Sequence, residues 1–178
     1  LARSRGLGDV YKRQNLGGPT LSEICNKIEK LNKYVIASLH GTPLGGGLEV
    51  AMACHFRIAT PNTKVGLPEV LLGILPGAGG TQRLPRLAGI EMGLEMMLTG
   101  KHVPSQEAIE NGIIDKIFEN TDTISNGINY AKELIQNNSK IKRTSENLSK
   151  VKSEEDYSEI INEIRLSLIH ISEPTRPC

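Results

Sequence analysis

Two carboxylates stand just after breaks in the chain. Glu49 is the second residue after Gly45-Gly46-Gly47, at the start of the apolar run over 48–54. Glu69 follows Gly66-Leu67-Pro68 and precedes Val70-Leu71-Leu72. A carboxylate in apolar surroundings can exchange protons near neutrality. Two of them at one substrate can divide the acid and base roles. Taken singly, each also reads as a charge favoured by the dipole in a helix's first turn. The glycine triplet has two readings as well. An N–H at or near Gly46, with the positive end of a helix behind it, can hold a developing oxyanion. Three glycines also permit a tight strand-to-helix crossover that other residues cannot follow.

Other chemistry finds less support. His40, His55 and His102 lack metal-ligand spacing and read as structural or solvent-facing, so no metal site is expected. Ser38 and Ser105 have no nucleophile elbow around them. Arg83 and Arg86 lie beside a second glycine-rich loop over 73–80, where they could meet a phosphate or, more simply, cap loop carbonyls. Neither G-x-G-x-x-G nor a P-loop occurs. The three cysteines, Cys25, Cys54 and Cys178, have no paired spacing, which argues against a disulfide framework. Cys54 lies in an apolar run and is expected to be an inert buried thiol.

The elements that must position these residues alternate between helix and strand. An apolar stripe of Leu21, Ile24, Ile28 and Leu31 predicts a helix over 19–31. The run over 34–39 is apolar on both faces, as a buried parallel strand should be. A buried helix over 48–54, a strand over 56–60, an extended piece at 64–66 and a helical turn over 68–72 follow, with Pro68 opening the turn. Pro85 should limit any helix over 81–87. Helices are expected over 91–98 and 105–111, with Ser105 as N-cap and Gly100 and Gly112 at the C-caps. A strand over 113–118 precedes a helix over 123–136 that carries Ile124, Ile128, Ala131 and Ile135 on one face. A last helix is expected over 154–166. The order points to an α/β layer with right-handed crossovers.

A chain of 178 residues fits one domain. With 38% hydrophobic and 23% charged residues it reads as soluble and globular, and with 3% aromatics its core must rest on Leu, Ile, Val, Ala and Met. No apolar run reaches the ~20 residues of a membrane span, and no signal peptide is visible. The ends, 1–14 and 167–178, show no periodicity and resemble translated sequencing-adapter DNA; they are expected to be non-native tails, with the gene cut at both ends. Residues 1–14 hold four cations against one carboxylate and residues 167–178 one of each, so the formal +1 of the chain becomes −2 for the segment between. Nothing there calls for nucleic acid or an anionic membrane. A reducing, cytosol-like compartment is the default.

Residues 33–118 carry a longer pattern, HGTPLGGGLEVAMACHFRIATPNTKVGLPEVLLGILPGAGGTQRLPRLAG within them. The triplet, a glutamate two residues on, G-x-P-E and P-G-x-G-G-T-Q-R-L together resemble the crotonase (enoyl-CoA hydratase/isomerase) family. The resemblance implies an α/β spiral of stacked ββα turns over 15–122, incomplete at its N-terminus, then a helical C-terminal region over 123–166. It implies that Gly46 offers its N–H to a thioester oxygen and that Glu49 and Glu69 are the catalytic pair. Gly77, with Gly45 and Pro68, would place water and substrate. The reaction implied is hydration of a 2-trans-enoyl-CoA to a 3-hydroxyacyl-CoA in fatty-acid β-oxidation, with 3-to-2 enoyl isomerisation as the alternative. No cofactor is implied, since the coenzyme A thioester is the substrate. His55, where many single-domain hydratases have Asp, and Lys142-Arg143-Thr144 are similar to bifunctional enzymes that fuse a hydratase to a dehydrogenase. NAD would belong to that fused domain; a single-domain protein would instead form a homotrimer or hexamer. The compartment implied is bacterial cytoplasm, or peroxisome or mitochondrial matrix. The family's other oxyanion donor comes from a loop upstream of residue 15, so this chain is also readable as an inactive fragment.

Overall fold

The computed structural model describes residues 18–151 together with Tyr157, Ser158 and Asn162. The tails at 1–14 and 167–178 lie outside the described residues, as does the expected helix over 154–166 apart from those three positions.

Helix α1, Leu21–Glu29, starts in a capping box: Glu23 N–H donates to the Thr20 side chain, and Glu23 accepts from Thr20 N–H in return. Its buried face is Cys25 and Glu29, with Ile28 packed beside them, while Leu21, Ile24 and Leu31 are exposed. The expected apolar stripe is therefore not the packing face. The neighbours of α1 include a buried arginine, so a carboxylate holds a core position that hydrophobic periodicity assigns elsewhere.

Strand β1, Ile36–Leu39, runs parallel to β2, Phe56–Ala59, in register from Ile36 opposite Phe56 to Leu39 opposite Ala59. Strand β5, Lys116–Ile117, pairs parallel on the other side of β2. Central β2 is buried throughout, as the parallel reading requires. β1, at the sheet's edge among the described residues, is buried only at Leu39. A second layer forms where Leu44 bridges Gly66 and where β3, Lys64–Val65, pairs antiparallel with β4, Val103–Pro104. Successive segments thus alternate between two sheets: β1 then Leu44, β2 then β3, β4 then β5. Helices come between these visits: α2 (Gly46–Ala53), α3 (Gly80–Ala88) with α4 (Ile90–Thr99), and α5 (Ser105–Glu110). The first two turns follow the expected strand-strand-helix winding, while in the last α5 lies between β4 and β5.

Leu48, Met52, Val65, Leu67, Leu84, Met96, Val103 and Ile113 are sealed from solvent in one core. Each such side chain contributes about 1.5–3 kcal/mol relative to exposure. α2 supplies Leu48 and Met52 to that core, and Leu67 anchors in it the start of the 3-10 turn Pro68–Leu72; these two elements carry the acidic residues.

Three further expectations are corrected. α3 runs continuously through Pro85 and buries Gly80, Arg83, Leu84, Leu87 and Ala88. That packing outweighs the roughly 3 kcal/mol cost of an interior proline. Ser105 is not an N-cap: Pro104 is, and the Ser105 hydroxyl donates to Pro61 O. Helix α6, Thr123–Gln136, does form, capped by Asp122, which accepts from Ser125 N–H. Its buried face is Asn126, Tyr130 and Leu134, whereas Ile124, Ile128 and Ile135 are exposed. Tyr130 joins Phe56 and Phe118 edge-to-face, at ring separations of 6.0 and 6.3 Å, and the aromatic area selects the face. Gly100 and Gly112 take the left-handed φ expected of helix ends, 70° and 77°. Among the described residues no helix is long and apolar enough to cross a membrane, and no three His, Cys, Asp or Glu side chains are grouped as a metal ion would need.

Candidate active site

The crossover from β1 to α2 brings the glycine triplet to the centre of the site. Gly45 adopts φ 54° and ψ −127°, a region closed to residues with a Cβ. Its N–H donates to Gly66 O at 3.0 Å, which ties the crossover to the second sheet. A Cβ built on Gly45 would lie 3.1 Å from Glu69 Oε1, so the glycine and that carboxylate are in contact. Gly46 is the first residue of α2, and its N–H has no acceptor among the described residues. Backbone donors at a helix start are left without intrahelical partners and carry the positive end of the dipole. Leu21 borders this amide, with its Cδ2 3.0 Å from where a Gly46 Cβ would sit.

Glu49 is 3% exposed, on the first turn of α2. Its Oε1 accepts from Ala78 N–H at 2.7 Å and from Gly80 N–H at 2.8 Å. Two charge-assisted bonds from the start of α3 fix the carboxylate's orientation. Its Oε2 makes no hydrogen bond to a described residue. A Cβ on Gly80 would come within 2.9 Å of Glu49 Oε1, so glycine is needed for the close approach. Glu69 is half-buried, the second residue of the 3-10 turn that Pro68 opens and that left-handed Gly73 closes. Its Oε2 is buried with no partner among the described residues, so it is available to a substrate or water proton.

The structure therefore gathers Gly45, Gly46, Glu49, Pro68 and Glu69 around the crossover. Gly77 is exposed with open space around it, next to Ala78, whose amide holds Glu49. The Ala78 and Gly80 amides were not legible as site groups, because a backbone donor has no residue signature; the paired glycines at 79 and 80 are the only sequence trace of them. Arg83 caps the Ala78 carbonyl, the simpler of its two readings. His55 is fully buried and structural, with Val35 N–H donating to Nδ1 and Glu29 O facing Nε2. Cys25 and Cys54 are buried and free, and burial pushes both thiols up, away from a nucleophile's range. A cleft of about 760 Å³ includes Asn26, Glu29, Gln82, Arg83, Arg86 and Arg143 in its lining but neither carboxylate. The site is thus recognised by unpaired hydrogen-bonding groups rather than by concavity.

The family described as enoyl-CoA hydratase/isomerase matches residues 5–170. The peroxisomal bifunctional enzyme of Danio rerio is 53% identical over 104 residues, which are 58% of this chain and 14% of that protein. The fatty acid oxidation complex subunit alpha of Idiomarina loihiensis is 47% identical over 108 residues, 60% of this chain and 15% of that one. The crystal structure of enoyl-CoA hydratase from Bacillus anthracis superposes with a TM-score of 0.64 at 35% identity, over 74% of this chain and 50% of that one. The match covers 14 to 18% of the length of curated relatives such as these. The winding between two sheets is the crotonase fold. By its fold and by the extent of the match, the chain belongs to the enoyl-CoA hydratase/isomerase family.

Proposed function

We propose that the protein is an enoyl-CoA hydratase that adds water across a 2-trans-enoyl-CoA to give a 3-hydroxyacyl-CoA in fatty-acid β-oxidation. The observation that carries this is the set of unpaired groups at one crossover: the Gly46 N–H, the free oxygen of a rigidly held Glu49, and the buried oxygen of Glu69. The thioester carbonyl accepts from Gly46 N–H, and the charge that develops on it is stabilised at the positive end of α2. A water between the carboxylates loses a proton to Glu49 as its oxygen bonds to Cβ. The Cα–Cβ π electrons shift toward the carbonyl, and Cα takes a proton through Glu69. Gly77, Gly45 and Pro68 set the positions of water and substrate. No further cofactor takes part.

The parent protein is proposed to be bifunctional, with the hydratase fused to a 3-hydroxyacyl-CoA dehydrogenase that holds the NAD. The names and lengths of the relatives support this. The compartment follows the parent: peroxisomal in a eukaryote, cytoplasmic in a bacterium. Glu69 alone, with its unpaired oxygen, would suffice for 3-to-2 enoyl isomerisation. The test is to give the full-length gene product a 2-trans-enoyl-CoA and a 3-enoyl-CoA, alone and as Glu49→Gln. The expected result is fast formation of 3-hydroxyacyl-CoA that Glu49→Gln slows by about 100- to 10,000-fold while isomerisation largely survives. A folded full-length protein that isomerises but never hydrates would overturn the proposal.

A further inference from the structure

The geometry points to a positioning device behind Glu49: the buried Glu29–Arg83 ion pair, anchored by the segment over 143–147, holds the loop that orients the carboxylate. This rests on the reading of Glu49 as an acid/base residue. Arg83 lies one turn into α3, and its side chain and that of Glu29 are each 6% exposed. Arg83 Nη1 donates to Ala78 O at 3.1 Å. Ala78 is the same residue whose N–H donates to Glu49 Oε1 at 2.7 Å. The guanidinium and the catalytic carboxylate therefore grip opposite sides of one residue. Gly79 makes the grip possible: it has φ 100°, and a Cβ there would fall 2.3 Å from Arg83 Nη1.

The far side of the guanidinium is fixed as well. Nε and Nη2 donate to Glu29 Oε2 at 3.3 and 2.9 Å, and Nη2 also donates to Asn26 Oδ1 at 2.9 Å. The other oxygen of Glu29 accepts from Ser145 N–H at 2.7 Å. Arg143 Nε donates to Glu29 O at 3.2 Å. Thr144 Oγ1 donates to Met52 O at 2.9 Å, on the helix that carries Glu49. Asn147 Nδ2 donates to Arg86 O at 3.0 Å on α3. One short segment therefore bonds to α1, α2 and α3, the three helices around the carboxylate.

Stability alone does not account for such a pair. A buried ion pair gains little over apolar residues of the same volume, because both charges lose water. What the forked guanidinium adds is direction. It cannot keep all four acceptor contacts unless Ala78 stays in place, and Lys at 83 would keep the charge without the fork. A displacement of about 1 Å in a catalytic group costs on the order of 100-fold in rate.

The test uses the full-length gene product in steady-state hydration of a 2-trans-enoyl-CoA. Arg83→Lys is compared with the milder Asn26→Ala, which removes one exposed anchor of the guanidinium and preserves the ion pair. Each is made alone and with Glu49→Gln. The expected result for Arg83→Lys is a fall in kcat of about 10- to 100-fold with KM little changed. Asn26→Ala should move kcat the same way by less. Neither should lower the rate further once Glu49 is Gln, because both act through it. Folded variants with wild-type kcat, or losses that multiply with that of Glu49→Gln, would overturn the proposal. Should Arg83→Lys not fold, Asn26→Ala decides by the same two readouts. Wild-type hydration by Glu49→Gln alone is a separate result, and it would overturn the functional reading and this proposal with it.

Discussion

Gly80 shows how closely the backbone is fitted to the chemistry. Alanine there would add helix propensity to α3, yet its Cβ would lie 2.9 Å from Glu49 Oε1. That Cβ would also lie 2.9 Å from Pro76 Cβ and 3.0 Å from Leu67 Cδ1, so Gly80→Ala should cost about 1–3 kcal/mol of stability and lower kcat by about 100-fold, which a thermal melt beside a hydration assay would check. Gly45→Ala combines two faults, a backbone conformation closed to L-residues and a Cβ 3.1 Å from Glu69 Oε1. It should cost about 1–3 kcal/mol of stability as well as rate, measured by denaturant unfolding. The glycines and glutamates were legible in the sequence because their types and spacing are unusual. The groups that hold them were not. The Ala78 amide and the Ser145 amide belong to residues whose side chains do nothing at the site. Glu29 and Arg83 are 54 residues apart, and nothing local marks them as a pair.

Among the elements, α1 and α6 are correct in existence and wrong in face. Periodicity counts apolar residues but does not know what each face will meet. On α6 the aromatic cluster takes Tyr130 inward, with Phe56 and Phe118 against it. Tyr130→Ala in this chain should cost about 3–5 kcal/mol, while Ile135→Ser on the exposed face should change stability by about 0.5 kcal/mol or less. Equal costs in denaturant unfolding would mean the face is wrongly assigned. The Tyr130 hydroxyl offers a second check. Burial first, then the Asp115 and Glu133 carboxylates, push its pKa up to about 12 from an ordinary value of 10.0. The unfolded chain then loses this proton at lower pH than the folded one, so stability falls as pH rises from 10.0 toward about 12. Tyr130→Phe should flatten that part of the stability–pH curve. α3 carries a related lesson: Pro85 sits inside a continuous helix because the buried side of that helix is worth more than one missing hydrogen bond.

At the scale of the whole molecule, the alternation of helix and strand predicted an α/β layer, and the structure winds it between two sheets. That winding was legible as a family resemblance rather than from periodicity, since β3 and β4 are two residues each and leave almost no pattern. Its consequence is functional. The strand ends at Leu39 and Val65 deliver the glycine triplet and the Pro68–Leu72 turn to one place, where Gly45 meets Glu69, and the proposed reaction uses that meeting to set two acids 20 positions apart on one substrate. The central claim is that both acids are needed for hydration. It is tested most directly by single-turnover hydration of a 2-trans-enoyl-CoA with the full-length gene product and its Glu49→Gln and Glu69→Gln variants, each verified as folded. The account predicts that each substitution lowers the rate by about 100- to 10,000-fold, the usual worth of a general acid or base. A folded variant of either kind that hydrates at the wild-type rate would contradict it.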